Sequence, residues 1–189
     1  MQEERVRPIL QPDDFETQTS KGALLDIAAI ESRQGDPAGL VPLDMAGIIR
    51  DAVGLYEAVA EERGIALVID VAPTPILGIE HLLMRVLANL IDNALKFSSE
   101  GQRVTLSATI EAGKGMLSIR DEGPGMPEAF MEKAAERFSR APDAKGKPGY
   151  GLGLSLVRAI CRRHGMTLTF ANSQPGLTVT IRWKAPVTA

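Results

Sequence analysis

The segment IEHLLMRVLANLIDNALKF, residues 79–97, carries the strongest helix pattern in the chain. Its apolar residues recur at intervals of three or four, the spacing that places them on one face of a helix. Polar residues recur at the same spacing on the opposite face. The apolar face comprises Leu83, Val86, Leu87, Leu90, Ile91 and Ala94, and the polar face comprises Arg85, Asn89, Asn93 and Lys96. We therefore predict a helix that packs its apolar face against a sheet.

The two asparagines make the polar face a candidate site. Asn has a low helix propensity because its short side chain competes for backbone hydrogen bonds, so exposed helix positions favour Glu, Lys and Ala. Amide oxygens suit Mg²⁺, a hard cation that keeps water and phosphate oxygens as its other ligands. Lys96 adds a point charge that suits phosphate. Asn89, Asn93 and Lys96 are therefore candidate catalytic and metal-site residues, and a solvated helix face is the alternative.

The sequence on either side of this helix predicts further helices and strands. The predicted strands cover residues 65–71, 103–110, 116–120, 166–171 and 177–183, and the predicted helices cover 15–33, 45–63, 128–136 and 152–164. Strands joined by short turns favour an α+β fold, a two-layer sandwich with a mixed, mostly antiparallel sheet and its helices on one face. A doubly wound βαβ fold fits this order less well.

The composition excludes several classes of protein. The chain has 189 residues and a net charge of -3, so it lacks the basic field that favours nucleic acid or anionic lipid. It has no apolar run of about 20 residues and no signal-peptide pattern, so we expect no membrane contact by this segment. A single cysteine permits no disulfide within the chain, which suits the cytoplasm.

The chain divides into two predicted regions. Residues 1–39 form a polar lead-in, mobile up to about residue 22, followed by the end of a helix and a linker rich in Gly and Pro. Residues 40–189 contain the regular pattern of helices and strands and form the predicted compact domain.

The segment DEGPGMP, residues 121–127, follows a predicted strand. A carboxylate at a strand end, here Asp121, accepts a hydrogen bond from an exocyclic amine such as that of adenine. Gly123 and Gly125 allow the backbone to turn sharply and to approach a ligand. An ordinary turn before a helix is the alternative.

A second glycine-rich segment, GKPGYGLGL at residues 146–154, opens a predicted helix. Gly149, Gly151 and Gly153 precede the bare N–H groups of a helix N-terminus, which bind phosphate oxygens. The segment matches neither the P-loop nor the Rossmann pattern. A flexible loop is the alternative.

Four segments together resemble the N, G1, F and G2 boxes of sensor histidine kinases. They are NLIDNALKF at 89–97, DEGPG at 121–125, ERFSR at 136–140 and GYGLGL at 149–154, in that family's order. The resemblance covers residues 40–184, the catalytic and ATP-binding domain. It implies a Bergerat-type α/β sandwich, shared with gyrase, Hsp90 and MutL, that binds ATP and Mg²⁺ and transfers the γ-phosphoryl group to histidine.

The resemblance also implies residue roles. Asn93, helped by Asn89, would bind Mg²⁺, and Lys96 would contact phosphate. The nucleotide-binding set would further include Phe97, Asp121, Gly123, Gly125, Met126, Gly149, Tyr150, Gly151, Leu152, Gly153 and Leu154, with Asp121 on the adenine amine and the glycines of 149–153 in a lid over the phosphates. Arg137, Phe138 and Arg140 would belong to the lid and the phosphoacceptor contact.

Two positions depart from the pattern of this family, and a third distinguishes phosphoryl transfer from hydrolysis. Ala135 stands where the F box usually begins with an aromatic residue, and Tyr150 stands where a small residue is common. Asn89 stands where ATP-hydrolysing relatives place a glutamate base. An amide does not activate water, so transfer to an external nucleophile is favoured over hydrolysis.

Neither histidine fits a phosphoacceptor motif, and we expect structural roles for His81 and His164. Residues 24–32 resemble the end of the second helix of a dimerisation hairpin. The expected partners are therefore a histidine-containing dimerisation and phosphoacceptor domain and a downstream response regulator, with the chain itself a monomer or weak dimer. A nucleotide-binding regulatory module without transfer and a serine kinase of the anti-sigma-factor type are the alternatives.

Overall fold

The structure, a computed structural model, describes residues 12–140 and 150–186, with side chains from residue 21 onward. The elements are α1 (Pro12–Glu31), β1 (Val41–Asp44), α2 (Met45–Glu62), β2 (Ala66–Val71), β3 (Pro75–Gly78), α3 (Glu80–Phe97), β4 (Arg103–Glu111), β5 (Lys114–Asp121), α4 (Glu128–Met131), α5 (Gly153–Arg163), β6 (Thr167–Asn172) and β7 (Leu177–Lys184). None of the described helices is long and apolar enough to span a bilayer.

Five strands form the main sheet in the order β2-β4-β5-β7-β6. Only the β2–β4 pair is parallel, because the chain crosses through β3 and α3 between these strands. The pairs β4–β5, β5–β7 and β6–β7 are antiparallel. The prediction of a mixed, mostly antiparallel sheet is confirmed.

One face of the sheet is buried under the helices. Leu106 of β4 is paired with Ile119 of β5, which is paired with Val179 of β7, and all three belong to the core. α2, α3 and α5 pack on this face. The opposite face carries small hydroxyl residues in the next register position, Ser107, Ser118 and Thr180. The predicted two-layer sandwich is therefore confirmed.

The ends of α2 and α3 follow from local hydrogen bonds. Asp44 caps α2 because its Oδ1 accepts from the backbone N–H of Ala46 at 3.2 Å and of Thr74 at 2.7 Å. α2 ends before Gly64, which has a φ of +64°. α3 ends at Ser98, whose hydroxyl donates to the Ala94 carbonyl at 2.8 Å.

α1 packs against α5 and joins the same core. Ile27 and Ile30 of α1 are buried with the residues of the sheet and helices. The buried Arg163 of α5 donates to the carbonyl oxygens of Asp36 and Ala38, at 2.7 Å for Ala38, and so holds the linker that follows α1.

Two ion pairs add to this attachment. Asp26 of α1 pairs with Arg85 of α3 at 2.8 Å, and Glu31 pairs with Arg137. Arg85 therefore belongs to the contact with α1, although the sequence pattern groups it with the asparagines of α3. These partly exposed pairs contribute little stability individually.

Three points of the predicted architecture need correction. The helix expected over 128–136 has only the single turn of α4, because Lys133, Ala134 and Glu136 donate to the carbonyls three residues earlier instead of four. α1 begins at Pro12, so the lead-in predicted up to about residue 22 is partly helical. The third correction is the small sheet of β1 and β3, which the sequence did not indicate.

Candidate functional site

A cavity of about 500 Å³ lies between α3, the loop after β5 and the start of α5. We call the loop of residues 121–126 its loop end, and the side chains of Asn89, Asn93 and Lys96 its helix end. Predicted site residues line it from every side, namely Asn89, Asn93, Lys96, Phe97, Asp121, Gly125, Met126, Tyr150, Gly151, Gly153 and Leu154. Segments that are far apart in sequence thus meet around one space.

Two of the predicted residues that the structure describes, Gly123 and Leu152, are not part of the cavity lining. The Gly123 N–H donates to Oδ1 of Asp121 at 2.9 Å. Leu152 is 6% exposed and packs in the core. Gly149 lies outside the described residues.

Asp121 is the buried carboxylate of the loop end, with 6% of its surface exposed. Its Oδ1 accepts from the backbone N–H of Gly123 at 2.9 Å and of Leu177 at 3.2 Å. Burial raises the pKa of Asp121, and these backbone hydrogen bonds and the charge of Arg120 partly oppose that rise. The carboxylate is therefore fixed in direction and poorly solvated, which strengthens a hydrogen bond to a ligand donor.

The loop end is built at glycine positions because other backbone lies against it. A Cβ on Gly123 would lie 2.5 Å from the Phe97 carbonyl oxygen. Gly125 has a φ of +79° and Gly176 a φ of +100°, and a Cβ on Gly176 would overlap the Asp121 carbonyl oxygen. Larger residues would displace the wall of the cavity.

At the helix end, Asn89 is oriented by its own helix. Its Nδ2 donates to the Arg85 carbonyl at 2.8 Å, and its Oδ1 faces the start of α5, where a Cβ on Gly153 would lie 2.8 Å away. The ammonium of Lys96 lies 5.8 Å from the centre of the Phe97 ring. An amide oxygen, an ammonium and a helix N-terminus thus border the same space.

This donor set fits a cation that shares its coordination with a ligand. The described residues contain no group of three or more His, Cys, Asp or Glu side chains that could hold a metal. The amide oxygen of Asn89 is the kind of ligand that Mg²⁺ accepts beside water and phosphate oxygens.

The β6–β7 turn supports the loop end in a way that the sequence motifs did not predict. Asn172, Gly176 and Leu177 all contact residues 121–126. The antiparallel pairing of β5 with β7 places Thr178 beside Arg120, and the next residue, Leu177, donates its N–H to Asp121. The motif NSQPG alone indicates only a turn.

The residues of the F-box segment divide between the cavity and α1. Arg140 lines the cavity, whereas Arg137 pairs with Glu31 of α1. Phe138 is 56% exposed with a φ of +60°, and Ala135 is buried. The contact with a phosphoacceptor domain stays a prediction for these residues.

His164 has the structural environment expected for it. Its Nε2 accepts from the Ile79 N–H at 3.0 Å, and its Nδ1 contacts the Ile160 carbonyl at 2.8 Å. Burial lowers the pKa of His164, as do the charges of Arg163 and His81, against the opposing effect of the Ile160 carbonyl. The neutral ring joins the start of α3 to α5.

The single cysteine is a core residue. Cys161 is 1% exposed, and burial raises the pKa of its thiol to about 12.

Comparison with known proteins agrees with this geometry. Residues 78–187 match the family model described as histidine kinase-, DNA gyrase B-, and HSP90-like ATPase. The adaptive-response sensory kinase SasA of Crocosphaera subtropica is 38% identical over 142 residues, which are 73% of this chain and 37% of that protein. The histidine-protein kinase/phosphatase MprB of Mycolicibacterium vanbaalenii is 31% identical over 88% of this chain and 36% of its own length.

A solved structure matches the same architecture. The full-length ShkA structure in complex with AMPPNP covers 94% of this chain and superimposes with a TM-score of 0.79 at 25% identity, with 38% of that protein matched. The fold and the site thus define a nucleotide-binding α/β sandwich. The chain belongs to the family of histidine kinase-, DNA gyrase B- and HSP90-like ATPases, and its curated relatives are sensor histidine kinases. The chain spans about a third of the length of these two relatives.

Proposed function

We propose that this chain is the ATP-binding catalytic domain of a two-component sensor histidine kinase and that it transfers the γ-phosphoryl group of ATP to a histidine on another segment or chain. One observation carries the proposal. A buried carboxylate, two helix amides, a lysine and a helix N-terminus border a single cavity in a chain of this ATPase family.

The loop end takes the adenine base. The Asp121 carboxylate, held by two backbone N–H groups, accepts a hydrogen bond from the exocyclic amine. Phe97 and Met126 supply apolar contact to the ring. A base that presents a carbonyl in place of the amine would oppose the carboxylate, so this end selects adenine.

The helix end takes the phosphates. Lys96 and the N–H groups at the start of α5 offset phosphate charge, and the amides of Asn89 and Asn93 supply oxygen ligands for Mg²⁺. When bound, Mg²⁺ offsets the charge on the β- and γ-phosphates. Gly151 and Tyr150 border the same side and would cover the triphosphate.

In the transfer step, one bond to the γ-phosphorus forms and one breaks. A ring nitrogen of the acceptor histidine bonds to the γ-phosphorus, and the bond between that phosphorus and the β–γ bridging oxygen breaks. The electron pair of that bond leaves with ADP, and the imidazole proton passes to solvent. The domain supplies position and charge stabilisation, since Asn89 offers no carboxylate to activate water.

The acceptor lies outside the described part of this chain in this proposal. His164 is half-buried and joins α3 to α5 through its ring nitrogens, and His81 is the second residue of α3. We infer a histidine-containing dimerisation hairpin and a response regulator as partners, a cytoplasmic location, and a monomer or weak dimer. The division at residue 39, with α1 as the end of a hairpin helix, belongs to the same proposal.

A transfer assay tests this function. The chain is incubated with Mg²⁺, ATP labelled at the γ-phosphate, and a separate histidine-bearing hairpin of a sensor histidine kinase. We expect the hairpin to become labelled with phosphate that is stable to base and labile to acid. A hairpin whose acceptor histidine is replaced by alanine should take up no label. Labelling of serine would instead support the anti-sigma-factor type of kinase.

A regulatory module without transfer is the second candidate. Ala135 in place of an aromatic residue is the observation that favours it. Tight ATP binding with no label on any hairpin would support this candidate.

A further inference from the structure

The side chain of Asn172, at the end of β6, forms two hydrogen bonds with one distant residue. Its Oδ1 accepts from the Met126 N–H at 2.8 Å, and its Nδ2 donates to the Met126 carbonyl at 2.8 Å. Both backbone groups of Met126 are thereby paired with a single carboxamide, as they would be with a neighbouring strand. Met126 itself lines the cavity.

The backbone beside Met126 also packs closely on the β6–β7 turn. A Cβ on Gly125 would lie 2.7 Å from the Asn172 Oδ1 and 3.2 Å from the Gly176 carbonyl oxygen. On the other side of the turn, the Leu177 N–H donates to Asp121. The turn therefore holds the loop end at Asp121 and at Met126.

We propose that Asn172 is a positioning residue for the nucleotide, which fixes the backbone of Gly125 and Met126 as the wall against which the base binds. Asn172 is not among the described residues that line the cavity, so it acts through Met126. The inference rests on the proposed function in that the ligand is ATP.

Carboxamide chemistry explains why an amide is needed at this position. An aspartate of the same size keeps the acceptor for the Met126 N–H but places a second oxygen against the Met126 carbonyl. When ionised, that oxygen repels the carbonyl, and when protonated, it donates to it as Nδ2 does. The Asn172→Asp variant therefore has a hydrogen-bonding pattern that pH can restore.

Nucleotide affinity as a function of pH tests the proposal. We expect Asn172→Asp to bind ATP roughly tenfold more weakly than the wild type at about pH 8, the ratio for a lost pair of partly exposed hydrogen bonds. The ratio to the wild type should move toward one as the pH falls toward the ordinary aspartate pKa of about 3.9. Taking the ratio at each pH removes the titration of Asp121, which both proteins share.

The control is Thr178→Val, which removes the 2.6 Å contact between the Thr178 and Ser173 hydroxyls in the same turn without touching Met126. It should bind ATP like the wild type at every pH. Equal loss in both variants, or a loss in Asn172→Asp that is constant with pH, would overturn the proposal.

Hydrogen exchange of the Met126 amide tests the role of Asn172 independently of the proposed function, because it needs no nucleotide. In the nucleotide-free protein, the Met126 amide should exchange faster in Asn172→Ala than in the wild type, and unchanged exchange would overturn the proposal. If the wild type binds no ATP, the proposed function is refuted. If the wild type and Asn172→Asp bind ATP with the same affinity, only the role of Asn172 is refuted.

Discussion

The loop end and the helix end of the cavity are built in different ways. At the loop end, the backbone N–H groups of Gly123 and Leu177 fix Asp121, and the side chain of Asn172 fixes Met126. Glycines at 123, 125 and 176 allow the neighbouring segments to touch. At the helix end, the polar groups are side chains of one helix, spaced one turn apart. The loop end therefore depends on tertiary packing, and the helix end depends on the position of α3.

The first prediction breaks the loop end by steric overlap. Gly176→Ala should cost about 2–5 kcal/mol of folding free energy, because it combines a positive φ with a Cβ that overlaps the Asp121 carbonyl oxygen. Gly165→Ala is the matched control, since Gly165 has a φ of +65° with nothing within 4 Å of an added Cβ. It should cost only about 1–2 kcal/mol. Urea unfolding of both variants measures the difference, and equal costs would contradict the overlap.

The second prediction changes the chemistry of the loop end and leaves its packing intact. Asp121→Asn retains an oxygen for the Gly123 and Leu177 N–H groups but turns an amide donor toward the adenine amine. The ATP dissociation constant should rise roughly 10- to 100-fold, the value of a hydrogen bond to a charged group. Calorimetry measures it.

The same variant should not lose stability. Because burial raises the pKa of Asp121, its favourable contribution to folding is present below the ordinary carboxyl pKa of 3.8 and is lost as the pH rises through the folded pKa. At neutral pH, the ionised carboxylate thus costs stability, which Asn removes. A melting temperature at pH 7 equal to or above the wild type is expected, and a clear decrease would contradict this explanation.

The third prediction addresses the helix end. Asn93→Ala removes an amide that we propose as an Mg²⁺ ligand, without changing the loop end. The wild type should bind ATP more tightly with Mg²⁺ than with a chelator. In Asn93→Ala, the ratio of the two affinities should be roughly tenfold smaller. Titrations with and without Mg²⁺ measure the gain, and the same gain in both proteins would remove Asn93 from the metal site.

The fourth and smallest effect concerns the start of α3, which His164 joins to α5. Because burial lowers the pKa of His164, its contribution to stability is present above the unfolded imidazole pKa of about 6.5 and is lost as the pH falls below it. Protonation removes the acceptor of the Ile79 N–H while Arg163 and His81 oppose the new charge. As the pH falls below about 6.5, stability should fall more steeply in the wild type than in His164→Gln. Parallel curves would contradict this role.

The helix end could be predicted from the sequence because its information is local. The spacing of residues 79–97 fixes both faces of α3, and the structure begins the helix only one residue later, at Glu80. Asp121 and its glycines form a similarly local motif at the end of β5.

The support of the loop end could not be predicted in this way. Asn172 contacts Met126 from 46 positions away, which requires knowledge of the order of the strands β5, β7 and β6. The strands β1 and β3 have only four residues each and contain prolines, so they carry no alternating pattern. Helix-forming residues in 128–136 predict a longer α4 than the three-residue turns allow.

Adenosine binding tests most directly whether one cavity binds base and phosphates at separate ends. Adenosine is titrated by calorimetry into the wild type, Asp121→Asn and Asn93→Ala. ATP with Mg²⁺ is titrated separately into the same three proteins. We predict that Asp121→Asn weakens both ligands, whereas Asn93→Ala weakens ATP and leaves adenosine unchanged. A wild type that binds neither ligand, or an Asn93→Ala variant that loses adenosine as strongly as ATP, would contradict this division of the site.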